Sequence, residues 1–375
     1  MGIALSLLGP SVSYLEDQLG VSAGVVGILF AVIAASNFFG ALVGGRWVTR
    51  WGGHVVLRIG VMTFSVGVVF IALASTYVVA AMGAVLIGSA TGMTDASMNI
   101  MVVWARAGKS GPALNAMHLL FGVGAFLAPL IVDRAIAFTD HLWPASIVIG
   151  LFAFLSMAVL GRRESPFEPE HAPDFHRPEL PTKVVVHVAI FFLLYVGGEV
   201  GFAGWIHTYA EDQGMSGSNP ALVTAIFWAS FALARLVVIP LSKILKPLTI
   251  VGGACALSLL GLIIMIVGDV NALSIWIGAA LFGFASGPQY PTMIALVDEK
   301  LSLSAQATAW IVGAAAIGGL IVPVSIGALI DTVGSASMPI VVLGVCCLGL
   351  AWVFVVQRSI SRASAPHHTG VLRPL

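Results

Sequence analysis

Apolar and polar positions along the chain fall into long blocks rather than alternating singly. Each apolar block is wide enough for the about 20 helical residues that cross a bilayer, and short polar breaks separate the blocks. The pattern predicts helical spans near 22–46, 54–74, 77–104, 112–134, 142–161, 184–210, 220–242, 248–268, 272–297, 304–330 and 338–357. A shorter apolar stretch precedes Pro10 and counts as the first span. Backbone groups in hydrocarbon must be satisfied internally, and runs this long exclude barrel strands. The expectation is an all-α membrane protein with 12 transmembrane helices.

The breaks carry charge unevenly. Arg46, Arg50 and Arg58, Arg106 and Lys109, Arg162, Arg163, Arg177 and Lys183, Lys243 and Lys246, Lys300, and Arg358, Arg362 and Arg373 occupy alternate breaks. The breaks between them hold Glu16 and Asp17, Glu211 and Asp212, Asp269 and Asp331, with Arg134 the one base on that side. Lys and Arg collect on the cytoplasmic side of membrane proteins. Both termini are therefore expected in the cytoplasm, on a multi-pass protein of the cell (inner) membrane. Pro166, Pro169, Pro173, Pro178 and Pro181 stand among charges in 162–182, which reads as an extended cytoplasmic tether. It separates a bundle over 1–161 from one over 183–357, with 358–375 as a cytoplasmic tail.

Composition narrows the class. Hydrophobic residues make up 59% of the chain and charged residues 9%, against roughly 25% charged in soluble domains. A formal net charge of zero argues against a nucleic-acid partner. Cys255, Cys346 and Cys347 all sit in apolar spans and propose neither a disulfide framework nor a zinc site. No phosphate-binding Walker loop is present, which excludes a self-contained ATP-driven pump. No metal, cofactor or enzyme chemistry is expected.

The two bundles share an internal repeat. At a shift of 195 positions, Gly83, Leu86, Gly88, Ala90, Gly92 and Met98 meet Gly278, Leu281, Gly283, Ala285, Gly287 and Met293. The same shift brings Gly9, Tyr14, Glu16, Asp17 and Gln18 onto Gly204, Tyr209, Glu211, Asp212 and Gln213. A shift of 194 pairs Gly124, Pro129 and Ile136 with Gly318, Pro323 and Ile330. Duplicated halves that bind a solute between them near the midplane are a transporter architecture. Met1 corresponds to Val196, although the seventh span begins near Lys183. The N-terminal half of the first helix is therefore expected to be truncated in this sequence.

These features resemble the major facilitator superfamily. Gly45-Arg46-Trp47-Val48-Thr49-Arg50-Trp51-Gly52-Gly53-His54 is similar to its loop signature, with Thr49 where the family usually has an acid and Gly53 where it has a base. Gln289-Tyr290-Pro291-Thr292, Asp95 followed by Asn99, Tyr195-Val196-Gly197-Gly198-Glu199 with Trp205 and Tyr209 beyond, and Ile317-Gly318-Gly319 with Pro323 resemble the fucose permease branch, including its sodium-dependent glucose transporter relatives. The resemblance implies the major facilitator fold, two six-helix bundles around a central path, and a sugar-like substrate. Proton-coupled members of that branch carry an acid where Ser6 stands here.

A charge inside the bilayer costs at least roughly 2.5–3.5 kcal/mol, so Glu199 and Asp95 are the leading coupling residues. A buried carboxylate takes up and releases a proton as water access changes, or ligates sodium through oxygen. The plainer reading is an acid satisfied by a neighbouring helix. Asn99 lies one turn from Asp95, and His118 enters at a similar depth as a relay partner or as a merely hydrogen-bonded residue. Arg235 reads as a snorkelling or ion-paired base. Asn37, Asn115, Trp205, Trp228, Gln289, Tyr290 and Trp310 are substrate-site candidates by residue type, although a lone aromatic equally serves packing. Gly88 with Gly92, Gly197 with Gly201 and Gly283 with Gly287 are spaced for close helix approach.

The reading is a monomeric secondary transporter that moves a hexose or related small polar solute by alternating access, coupled to protons or sodium. The alternative is an exporter of drugs or amphipathic metabolites on the same fold. A third possibility is a membrane sensor that no longer transports.

Overall fold

The computed structural model describes residues 2–105, 111–160, 165–166, 181–217, 219–268, 272–298 and 305–363. Its helices are α1 (Gly2–Ser6), α2 (Val12–Leu19), α3 (Ala23–Trp51), α4 (Gly53–Ala72), α5 (Tyr77–Ala105), α6 (Gly111–Thr139), α7 (Trp143–Leu160), α8 (Thr182–Asp212), α9 (Asn219–Leu241), α10 (Pro247–Val267), α11 (Ala272–Ser286), α12 (Gln289–Asp298), α13 (Ala305–Val333) and α14 (Ser337–Ala363). A 3-10 turn, Gly9–Ser11, joins α1 to α2. No strand occurs among the described residues, and nine of the helices are long and apolar enough to cross a membrane.

Four local features differ from the apolar-block pattern. The span expected over 272–297 is two helices, because Pro288 and Pro291 each lack the N–H that a continuous helix needs. The loop expected after 46 is a single-residue joint at Gly52, whose φ of +83° is a conformation glycine adopts without a Cβ penalty. The last helix runs to Ala363, past the expected boundary at 357, because Val356 and Ile360 bury one apolar face against the second bundle. The first span is bent at Gly9 and Pro10 into α1, the turn and α2. Of the expected tether 162–182, residues 165–166 and 181–182 are described; the Ser165 hydroxyl accepts the Gly53 N–H at 2.9 Å.

Packing follows the duplication. A Cβ on Gly88 or Gly92 of α5 would collide with the backbone carbonyls of Ile33 and Asn37 on α3. Gly283 and Gly287 of α11 and the break stand in the same relation to Phe227 and Phe231 on α9. The equivalent glycines thus meet equivalent partners, and the spacing read as close approach is one in both halves. Gly197 and Gly201 likewise lie against Val322 of α13. Gly9 and Gly204, themselves repeat mates, come together where the turn before α2 meets α8. A residue that touches its own mate lies near the pseudo-twofold axis relating the two halves.

The halves meet firmly at the end that carries the acids. Trp205 of α8 wedges between Gly27 of α3 and Gly327 of α13, stacks near Phe30 (5.7 Å between centroids), and donates its indole N–H to the Pro323 carbonyl at 2.9 Å. There, the Ser22 hydroxyl donates to Asp331 at 2.7 Å. Nearer the middle, α6 crosses α9, with the Phe121 and Trp228 rings edge-on at 6.1 Å.

Candidate functional site

The interruption between α11 and α12 organises the site. Pro291 has no N–H, so the Gly287 carbonyl one turn earlier has no helical donor. Arg235 of α9 supplies one: its Nε donates to the Gly287 oxygen at 3.2 Å, and its guanidinium lies 4.4 Å over the Phe231 ring. Tyr195 of α8 donates to the adjacent Ser286 carbonyl at 3.0 Å. Glu199 sits one turn along α8 on the same face as Tyr195, buried at 8% exposure, and feels the charge of Arg235. Of the two expectations for Arg235, snorkelling or an interhelical ion pair, the inward turn toward an orphaned carbonyl and a buried acid agrees with the second.

Tyr290 opens α12 and packs edge-on against Phe192, with centroids 4.6 Å apart. It lies within electrostatic reach of Arg235 and Glu199 and, from the other half, of Asp95 on α5. Asp95 is held by the partner its spacing predicts: Asn99 Nδ2 donates to its carboxylate at 2.8 Å and to its backbone carbonyl at 2.9 Å. Each half of the molecule thus carries one of the two candidate acids, Asp95 on α5 and Glu199 on α8.

The remaining candidates divide. Trp228 is fully buried, and its indole N–H has no partner among the described residues. Asn37 donates to Thr91 Oγ1 at 3.0 Å, within the first half. Trp205 is sealed in the contact between halves, with its N–H already used. Trp310 is 66% exposed. Gln289 turns into the second bundle, where its amide donates to Ser258 Oγ and the Ala285 carbonyl, both at 3.2 Å, and accepts from Cys255 Sγ at 3.5 Å. It borders a cavity of about 20 Å³ that Tyr195 and Ser286 also line. The side chains of Asn115 and His118 lie outside the described residues, and the expected pairing of His118 with Asp95 with them. Ser6 is buried and donates to the Ala125 carbonyl at 2.8 Å.

A second polar cluster closes the acidic end. Ser13 donates to Glu211 Oε2 at 2.5 Å, and His207 Nδ1 lies 3.4 Å from the same oxygen. Asp331 accepts the Ser22 hydroxyl and the Gly24 N–H. Glu16, beyond the apolar part of α2, is pushed up to about 7, first by partial burial and then by Asp331, Asp17, Asp212 and Glu211. Sequence reasoning gave these acids only a topological meaning. Tyr195 stands four residues before Glu199 within the motif that carries the resemblance, and Asn99 stands four residues after Asp95.

A duplicated bundle of apolar helices that keeps acids within its spans has the architecture of a multi-pass membrane transporter and not of an enzyme. The model of the Major Facilitator Superfamily matches residues 1–323, and the chain belongs to that family. Sodium-dependent glucose transporter 1 of Homo sapiens is 23% identical over 369 residues, which cover 88% of this chain and 71% of that protein. Sodium-dependent glucose transporter 1A of Mus musculus is 24% identical over 370 residues, covering 88% and 87%. Among solved structures, a D-xylose-proton symporter superposes with a TM-score of 0.75 at 14% identity, covering 100% of this chain and 96% of that one. The nucleoside transporter NupG gives 0.70 at 15% identity, covering 96% of each. At such identities the two structures speak to the fold alone.

Proposed function

We propose that the protein is a secondary active transporter of a hexose or related sugar, working by alternating access and coupled to protons or sodium through Glu199 and Asp95. The observation that carries this reading is the placement of one acid in each half: Asp95 bound by Asn99 at 2.8 Å, and Glu199 buried one turn from Tyr195, whose hydroxyl holds the broken helix at Ser286. An acid buried without a full ion pair is costly in a bilayer and is retained where its charge does work. Trp228 supports the site from the α6–α9 crossing: a buried N–H without an acceptor costs about 1–3 kcal/mol, which a substrate hydroxyl offsets when it binds. Closure at the acidic end is the geometry of one of two alternating states, and the Gly9–Gly204 crossing is a pivot between them. With the basic end cytoplasmic, both termini lie inside the cell and the closed end faces out. The sugar transporters among the relatives are consistent with the substrate class.

Radiolabelled hexose uptake into proteoliposomes tests the reading, with proton and sodium gradients imposed separately. Accumulation under one gradient, lost in Glu199→Gln or Asp95→Asn, supports it and names the ion. No accumulation of any hexose under either gradient transfers the reading to an exporter of amphipathic compounds.

A further inference from the structure

We infer that Tyr195 and Arg235 are positioning residues that convert the charge state of Glu199 into the geometry of the α11–α12 break. The inference rests on the proposed coupling role of Glu199 and adds the means by which that role reaches the path.

The argument is one of donor accounting. The Tyr195 hydroxyl has a single proton, which goes to the Ser286 carbonyl at 3.0 Å, and Glu199, buried one turn on along the same face of α8, is the competing acceptor. A protonated carboxyl donates its own proton to the tyrosine oxygen and leaves the tyrosine proton on the carbonyl. An ionised carboxylate only accepts, and hydrogen bonds to it are roughly twice as strong as neutral ones. It draws the Tyr195 proton away from Ser286. The same ionised charge attracts the Arg235 guanidinium, whose Nε otherwise holds the Gly287 carbonyl. Gly287 has no fallback, because the residue one helical turn on is Pro291.

The Ser286 carbonyl therefore keeps its donor only while Glu199 is neutral, and the Gly287 carbonyl then has to share the Arg235 guanidinium with the carboxylate once Glu199 ionises. Proton uptake fixes the break, and proton loss frees it. Among the described residues the ionisable neighbours besides Arg235 are these. Tyr290 stands on α12, Asp95 reaches Tyr290 from α5, and Cys255 of α10 and Cys346 of α14 line the cavity behind Tyr195. Movement of the break carries Tyr290 with it, so the event on α8 is felt where the two halves face each other.

Hydrogen exchange of the full chain in lipid nanodiscs tests this without any transport assay. After correction for intrinsic rates, wild-type exchange over 286–292 is expected to match Glu199→Gln at low pH and to run about fivefold faster at high pH, the equivalent of one net hydrogen bond. Tyr195→Phe is expected to exchange fast at every pH and to stay fast when combined with Glu199→Gln. Exchange over 23–105 reports whether a variant is correctly assembled; if Tyr195→Phe is not, Arg235→Gln serves the same comparison. Equal exchange in wild type and Glu199→Gln across the pH range overturns the inference. So does a protective effect of Glu199→Gln that survives loss of the tyrosine hydroxyl. A wild type that accumulates no sugar refutes the transport reading instead, and leaves the exchange result to stand or fall separately.

Discussion

The Ser13 hydroxyl donates to the Glu211 carboxylate at 2.5 Å, tying α2 of the first half to the end of α8 in the second. The duplication makes Ser13 the mate of Thr208 and Glu16 the mate of Glu211. The mirror bond, from Thr208 to Glu16, is not formed: Thr208 Oγ1 is buried with no partner among the described residues. One acid of a symmetric pair is thus tied down, and the other is left among like charges.

That asymmetry predicts a pH response of the closed end. Glu16 faces Glu211 and Asp212 from α8, with His207 paired to Glu211, Asp331 from α13, and Asp17 on its own helix. Asp140 and His141 border the groove along the other side of α2. The value of about 7 belongs to the closed arrangement, and a hydrated Glu16 returns toward 4.5. The closed state then binds the extra proton between those values. Closure strengthens as pH falls through about 7 and weakens as it rises. Spin-label distances between positions 21 and 333 are expected to shorten from pH 8 to pH 6, and Glu16→Gln to be short at both. A lengthening on acidification contradicts the assignment.

Asp331 predicts a second effect on the same closure. Ser22 is the N-cap of α3, yet its side chain caps nothing in its own helix. Asp331 of α13 does so from across the seam, accepting the Gly24 N–H at 3.1 Å at the positive end of the α3 dipole. Removal of an N-cap acceptor costs about 1 kcal/mol. Asp331→Ala is therefore expected to shift closure toward opening by about fivefold, and Asp331→Asn by less because it keeps an acceptor oxygen. Thiol accessibility at position 27, under Trp205, reads the change.

How far the fold was legible depends on the range of the interaction concerned. Helices α3 to α10 follow from apolar blocks, since lipid imposes the same demand on every residue of a span. The Asp95–Asn99 bond is legible because it is one turn long. The Ser22–Asp331 bond joins residues 309 apart, and nothing local to either residue announces it. Gln289 is legible by residue type, whereas its partners Ser258, Ala285 and Cys255 in the second bundle follow only from the tertiary packing. Snorkelling and ion pairing stay open for Arg235 in the sequence because the carbonyl that holds it is orphaned by a proline on a different helix.

The repeat-matched glycines give a stability prediction. Gly92 meets the Asn37 carbonyl without room for a Cβ, and backbone cannot yield as a side-chain tip does. Gly92→Val is expected to destabilise the first bundle by about 1–3 kcal/mol, the usual cost of overpacking. Gly252→Ala on α10, with nothing within 4 Å of the added carbon, is expected to be neutral or slightly stabilising. Thermal unfolding in detergent separates them; equal melting temperatures contradict the contact.

Gln289 and Asp95 are expected to part company in kinetics. The Gln289 amide is occupied by Ser258, the Ala285 carbonyl and Cys255, all within the second half. Gln289→Leu leaves the buried Ser258 hydroxyl short of a partner and is expected to cost about 1–2 kcal/mol of stability. It touches nothing at the seam, so KM for the sugar should stay within about twofold of wild type. Asp95→Asn keeps the shape and the Asn99 neighbour but removes the charge that reaches Tyr290 from the first half. It is expected to leave melting nearly unchanged and to lose gradient-driven accumulation. If Gln289→Leu instead raises KM tenfold or more with melting unchanged, the amide faces the substrate during the cycle, and α12 must rotate about its break to bring it there.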